Sequence, residues 1–174
     1  MAYIMIDVEA DGQCPGLYSM VSLGAVVVEP ALNRTFYATF QPISDQWIPE
    51  ALAISKISRN TCMQFPHATI GMEAFDQWLQ SLNERLYFVS DNNGFDWQFV
   101  NYYFWRFLGR NPFGHSSTNL GSLYKGLNRN MMANFKHLRK TKHTHHPVDD
   151  AKGNAEAMLY LQDHYQLKLT KIKQ

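Results

Sequence analysis

The stretch Tyr3-Ile4-Met5-Ile6-Asp7-Val8-Glu9 opens on apolar residues and closes on two acids. Tyr3 to Val8 has the apolar and β-branched content of a strand, and along a strand alternate residues share a face. Ile4, Ile6 and Val8 then point one way, into a core, while Asp7 and Glu9 leave the other face and converge on one place. Two like charges so close repel each other, and a hard divalent cation relieves the repulsion while leaving both ionised. A solvated strand end would carry the same pair, so Asp7 and Glu9 alone do not decide for a metal site.

Reading outward, Val21 to Val28 and Thr35 to Phe40 are two more β-rich runs. Turn residues separate them at Asp11-Gly12, Pro15-Gly16 and Pro30-Ala31-Leu32-Asn33, so the three runs make an antiparallel meander. The pattern then changes. Met72, Phe75, Leu79 and Leu82 recur at helical spacing within Met72 to Leu86, and Tyr87-Phe88-Val89 follows as a short strand. Phe95 to Leu108 reads as a helix too aromatic for one narrow stripe, hence buried on much of its surface. Leu120 to Met132 is moderately helical, Phe135 to His146 reads as a basic, histidine-rich loop or frayed helix, and Ala151 to Tyr165 is a closing helix entered through Asp149-Asp150. The fold class is α/β, a meander followed by alternating helices and strands.

At 174 residues, 45% of them apolar, the chain can bury one sizeable core, and residues 1–174 read as a single domain. A formal charge of +1 excludes a highly basic coat for nucleic acid but leaves room for a local basic groove. Cys14 and Cys62 have no paired spacing, which indicates neither a disulfide framework nor a cysteine zinc site and suits a reducing cytoplasm. Tyr3-Ile4-Met5-Ile6 leaves no room for a secretory leader, and Ala25 to Val28 is far shorter than the roughly twenty apolar residues of a membrane helix. A soluble, cytoplasmic protein is expected.

Two further elements carry chemistry. In Ser90-Asp91-Asn92-Asn93-Gly94-Phe95-Asp96 an acid opens a helix directly after a strand, so Asp96 can point back over the sheet edge; capping or first-turn dipole support is its plainer role. In His145-His146-Pro147-Val148-Asp149-Asp150-Ala151 a histidine precedes an acidic helix start, bringing a proton acceptor and a metal ligand together.

In order and spacing these three elements resemble the motifs of the DEDDh 3′→5′ exonucleases, the group of ribonuclease T, oligoribonuclease and the proofreading subunit of bacterial replicative polymerase. Asp7-Val8-Glu9 is similar to the first motif, Asn92 to Asp96 to the second, and His145 through Asp150-Ala151 to the third. Leu23-Gly24-Ala25-Val26 and Ile48-Pro49-Glu50 through Ser58 resemble flanking segments. The resemblance implies a ribonuclease H-like fold, a mixed central sheet whose first three strands are antiparallel and later strands parallel, flanked by helices. It makes Asp7, Glu9, Asp96 and Asp150 the metal-binding acids and His145 the general base. The family's spacing selects His145 and Asp150 over His146 and Asp149. The chain departs from the pattern at Ala10, where relatives have threonine, at Asp91-Asn92, where they often have His-Asn, and at Pro147.

The implied reaction is hydrolysis of RNA or single-stranded DNA from a free 3′ end, releasing nucleoside 5′-monophosphates. Two Mg²⁺ or Mn²⁺ ions roughly 4 Å apart are expected per site, since oxygen ligands suit hard cations. An imidazole of unperturbed pKa about 6.5 can accept the proton of water at neutral pH. Backbone around Ala10, Asp11 and Gly12, with Leu17, Tyr18 or Met20, is the expected seat of the terminal nucleotide, and Lys136, Arg139, Lys140 and Lys142 are placed to guide phosphates. Several members are homodimers, so the resemblance admits a homodimer here. Two rivals remain: a zinc site built by His137, His143, His145 and His146, and a non-catalytic nucleic-acid-binding accessory module that keeps the fold.

Overall fold

The computed structural model describes residues 1–169. Strands β1 (Ala2–Ala10), β2 (Met20–Val27) and β3 (Thr35–Thr39) form the meander. After it come α1 (Pro49–Ile54), α2 (Arg59–Cys62), α3 (Ala68–Ser81), β4 (Leu86–Ser90) and α4 (Asp96–Leu108). The chain then runs through β5 (Ser117–Asn119), α5 (Leu120–Leu127), a 3₁₀ turn at Lys136–Leu138 and α6 (Pro147–His164). The sheet order is β3-β2-β1-β4-β5; β1 pairs antiparallel with β2 and parallel with β4, and β4 pairs parallel with β5. This is the mixed ribonuclease H-like sheet that the resemblance implies.

Each face of β1 packs against a different layer. Ile4, Ile6 and Val8 join the side chains of α3 and α4, among them Phe75, Phe99, Tyr103 and Phe104. Met5, on the opposite face, joins Leu120 and Tyr124 of α5 and Ala151, Ala155 and Met158 of α6. The odd-numbered face of β1 therefore begins in a core under α6 and ends in Asp7 and Glu9. Burying large side chains such as Phe75 or Phe99 contributes about 1.5–3 kcal/mol each, so the strand bearing the two acids is clamped from both sides.

Some boundaries differ from those the sequence suggests. The helix expected over Met72 to Leu86 begins at Ala68 and stops at Ser81, because Asn83 takes φ 50° and breaks the helical path. The Leu120 helix stops at Leu127 rather than Met132; Arg129 has φ 50°. The last helix starts at Pro147, four residues before Ala151, since proline is well suited to the first helical position. Strand β5 is composed of Ser117, Thr118 and Asn119, without the apolar alternation that marks a strand. Of the expected aromatic burial on α4, Phe99, Tyr103 and Phe104 conform, whereas Trp105 is 57% exposed.

Candidate active site

β1 is paired with β4 only as far as Met5 opposite Val89. Beyond that point the two parallel strands are no longer paired, and the acids lie at their carboxyl ends, the usual place for ligands in such sheets. Asp96, the first residue of α4, fills the gap: its Oδ1 accepts a hydrogen bond from the Val8 amide at 3.3 Å and its Oδ2 one from the Asn92 amide at 3.3 Å. The loop that delivers it is held by Asn93, whose amide lies 2.6 Å from the Ser90 hydroxyl and 2.8 Å from that of Ser117.

Asp150 arrives from the other direction. Gly24 of β2 is the cross-strand partner of Asp7, and a Cβ there would sit 2.3 Å from the backbone of Pro147 and Val148. Only glycine lets the first turn of α6 lie so close to the sheet, and that contact sets Asp150 beside Asp7. Carboxylate oxygens of Asp7, Glu9 and Asp150 lie within 4.8 Å of one another. After Glu9 the pairing with β2 slips by a residue at Ala10, a bulge of the kind that re-aims side chains beside functional sites.

The electrostatic consequence is strong. Burial, then the charges of Asp96, Glu9 and Asp150, push the Asp7 carboxyl well above its ordinary value, with the Arg139 guanidinium opposing them. Burial, followed by Asp150 and Asp96, raises Glu9 to about 8. Burial also raises Asp96 to about 7, although hydrogen bonds from Ser90, Asn92 and Val8 pull the other way. Asp7, Glu9 and Asp96 therefore cannot all ionise near neutrality without added positive charge. An all-oxygen donor set with excess negative charge fits hard divalent cations, and Asp7, Glu9, Asp96 and Asp150 are the residues that would hold them.

His145 stands at the rim with φ 63° and its Nδ1 3.9 Å from Glu9 Oε1. Asp150 organises its loop, accepting from the Thr144 amide at 3.1 Å and the His145 amide at 3.2 Å. Glu156, two turns along α6, accepts from the Lys140 amide (2.6 Å), the Thr141 amide (2.7 Å) and the Thr141 hydroxyl (2.8 Å). Burial opposes ionisation of Glu156, but those donors outweigh it and hold its pKa below the usual value. Sequence reading misses Glu156, because one acid on a helix face carries no signal until the loop folds over it.

The neighbours turn elsewhere. His146 stacks on Tyr37 with ring centroids 4.7 Å apart, and Asp149 accepts from the Thr144 hydroxyl at 2.9 Å. His137 lies edge-on to Tyr124 at 6.0 Å, so the four histidines of the zinc rival do not converge. Arg139 is not a surface guide for phosphates: its side chain is 8% exposed, is 3.1 Å from Asp91 and lies over the Phe135 ring. Lys136, Lys140 and Lys142 remain exposed. Among the expected nucleotide contacts, Ala10 and Gly12 are buried, and the Tyr18 ring covers Gly12. Leu17 is exposed, whereas Met20 is sealed in the core. The Asp11 side chain is buried, pairs with Arg59 and accepts from the Ser19 amide at 2.6 Å, so it braces the loop instead of facing a ligand.

Comparison with known proteins identifies the family. The RNase_T family model, described as exonuclease, matches residues 4–158. The chain belongs to this exonuclease family. The 3′-5′ DNA exonuclease Cap18 of Escherichia coli is 37% identical over 130 residues, covering 72% of this chain and 68% of Cap18. The nuclease domain of 3′hExo, a DEDDh family member bound to rAMP, superposes with a TM-score of 0.76 at 14% identity, covering 98% of this chain and 96% of that one. Cell-death related nuclease 4 gives 0.76 at 14% identity; 94% of this chain is covered, and it spans 64% of that chain. E. coli exonuclease I with a dA16 oligonucleotide gives 0.72 at 17% identity, covering 93% of this chain and 41% of that one. At these identities the solved structures establish the fold, and the family assignment rests on residues 4–158 and on Cap18.

Proposed function

We propose that the chain hydrolyses phosphodiester bonds of single-stranded nucleic acid from a free 3′ end, releasing nucleoside 5′-monophosphates. The observation that carries this is the trio Asp7, Glu9 and Asp150, whose oxygens lie within 4.8 Å of one another, with Asp96 near enough for its charge to act on Asp7 and Glu9 and with His145 beside Glu9. Two Mg²⁺ or Mn²⁺ ions held there would stabilise charge on the phosphoryl group and its leaving oxygen. His145 takes the proton of the attacking water, for which its partly exposed position at the rim leaves it accessible. Asp7 and Asp96 hold their oxygens on buried, core-packed elements, and Leu17 offers an exposed apolar surface to the terminal base. Cap18, 37% identical, is a DNA exonuclease, which supports DNA over RNA as the substrate here.

Digestion of matched RNA and DNA oligonucleotides, 3′-blocked and unblocked, with Mg²⁺ or EDTA tests the reading. A ladder that shortens one nucleotide at a time, only from an open 3′ end and only with metal, is the expected result. Binding without shortening would point to the accessory module. Sedimentation of the same sample decides between monomer and homodimer. Free Cys14 and Cys62 suit a reducing cytoplasm, and among the described residues no helix is long and apolar enough to cross a membrane.

A further inference from the structure

With the four-histidine zinc site set aside, His143 has no role in the hydrolytic site, yet it touches that site twice. Its Nδ1 lies 2.8 Å from Asp150 Oδ1, and its ring stands edge-on to that of His145, with centroids 4.2 Å apart at 65°. Donor atoms of His143, His145 and Asp150 all lie within 4.8 Å of one another. Two donor sets therefore share Asp150: an all-oxygen trio with Asp7 and Glu9, and a mixed trio with two imidazoles. The first suits Mg²⁺ or Mn²⁺, whereas two imidazoles and a carboxylate suit Zn²⁺ or another borderline ion, with water completing a tetrahedron. The half-exposed His143 side chain leaves the mixed trio open to solvent.

We propose that His143, His145 and Asp150 form a second, inhibitory cation site, selective for Zn²⁺ and similar ions. The proposal rests on the exonuclease reading for its inhibitory half. An ion bound there occupies a lone pair of His145, removing the proton acceptor, and draws on Asp150, which the hydrolytic ions also need. The ordering of divalent affinities lets a small amount of zinc compete against a large excess of magnesium at imidazole donors.

The test uses the whole protein and its H143N variant. In Mg²⁺, Zn²⁺ is titrated into the oligonucleotide digestion and each rate is divided by that protein's own zinc-free rate, so a change in basal turnover cancels. Separately, Co²⁺ is added in Mg²⁺ and the visible absorption of tetrahedral, nitrogen-ligated cobalt is followed. Wild type should be inhibited and should show the cobalt bands; H143N should lose the bands and need at least about tenfold more zinc for half-inhibition. Equal zinc sensitivity overturns the inhibitory site, even if the spectrum changes, because zinc would then act elsewhere. Unchanged cobalt bands in H143N overturn the coordination. If wild type digests nothing in Mg²⁺, the exonuclease reading fails on its own, and the cobalt arm still decides whether His143 is a ligand.

Discussion

The carboxylates and the histidine of this site are held in different ways. Asp7 and Glu9 sit on a strand whose neighbouring residues are buried in two cores, and Asp96 and Asp150 open helices packed on the same sheet. His145 sits on an irregular segment with left-handed backbone, tied down by side-chain acceptors on α6: Asp150 at its own position and Glu156 further back. Placing a charge cluster against its own repulsion demands a rigid frame. Placing an imidazole at the rim demands only that a loop be tethered, and a tethered loop keeps some freedom to move.

The largest expected effect comes from breaking the rigid half at its centre. Asp7→Asn should abolish Mg²⁺-dependent turnover and weaken Mg²⁺ uptake measured by calorimetry, since the substitution removes a charged ligand at the middle of the cluster. His145→Ala should lower turnover by about 10²–10⁴-fold while leaving Mg²⁺ uptake intact; a variant that kept nearly full rate would show that the base lies elsewhere. The contrast between these two variants is the sharpest test of a division between metal holding and proton transfer.

Gly24→Ala probes the frame without touching a ligand. Its Cβ would run into the Pro147 and Val148 backbone, so it should cost about 1–3 kcal/mol in denaturant unfolding. Turnover should fall further than that loss explains, because α6 carries Asp150. Glu156→Gln probes the tether: stability should drop by about 1 kcal/mol or less, with turnover reduced by up to about a hundredfold through misplacement of His145. If Glu156→Gln instead left turnover untouched, the loop would be held by Asp150 alone.

The smallest effect expected is on stability against pH. Asp7, Glu9 and Asp96 have folded-state pKa values raised above those of the unfolded chain, Glu9 to about 8 and Asp96 to about 7. The folded protein then binds more protons than the unfolded one, so this stabilisation is complete at acid pH and is lost as pH rises toward those values. In EDTA the melting temperature should fall between about pH 5 and about pH 8.5, and Mg²⁺ should flatten the fall. Glu156 works in the opposite sense, its contribution fading as pH drops through its lowered pKa. A metal-free melting temperature that rose across the same range would show that the acids are not crowded as the geometry has them.

Much of the fold was legible because its strongest elements have strong periodicity. The alternation of Tyr3 to Val8 and the helical spacing of Met72, Phe75 and Leu79 both follow from core-facing positions. Strand β5 and the short helices α1 and α2 were not legible, since Ser117-Thr118-Asn119 has no apolar alternation and four to six residues cannot show a helical period. Arg139 misled for a related reason. A basic residue in a basic run looks solvated until Asp91 and the Phe135 ring enclose it.

By itself the sequence determined the strand with its two acids on one face, the order of the three motifs and the family they resemble, because those depend on residue type and local spacing. Only the tertiary structure decided how close the four acids come, that Gly24 lets α6 reach Asp7, that Glu156 tethers the histidine loop, and that His143 meets His145 and Asp150. Each of those is a contact between segments distant in the chain or folded back on themselves, set by packing geometry that no local pattern encodes.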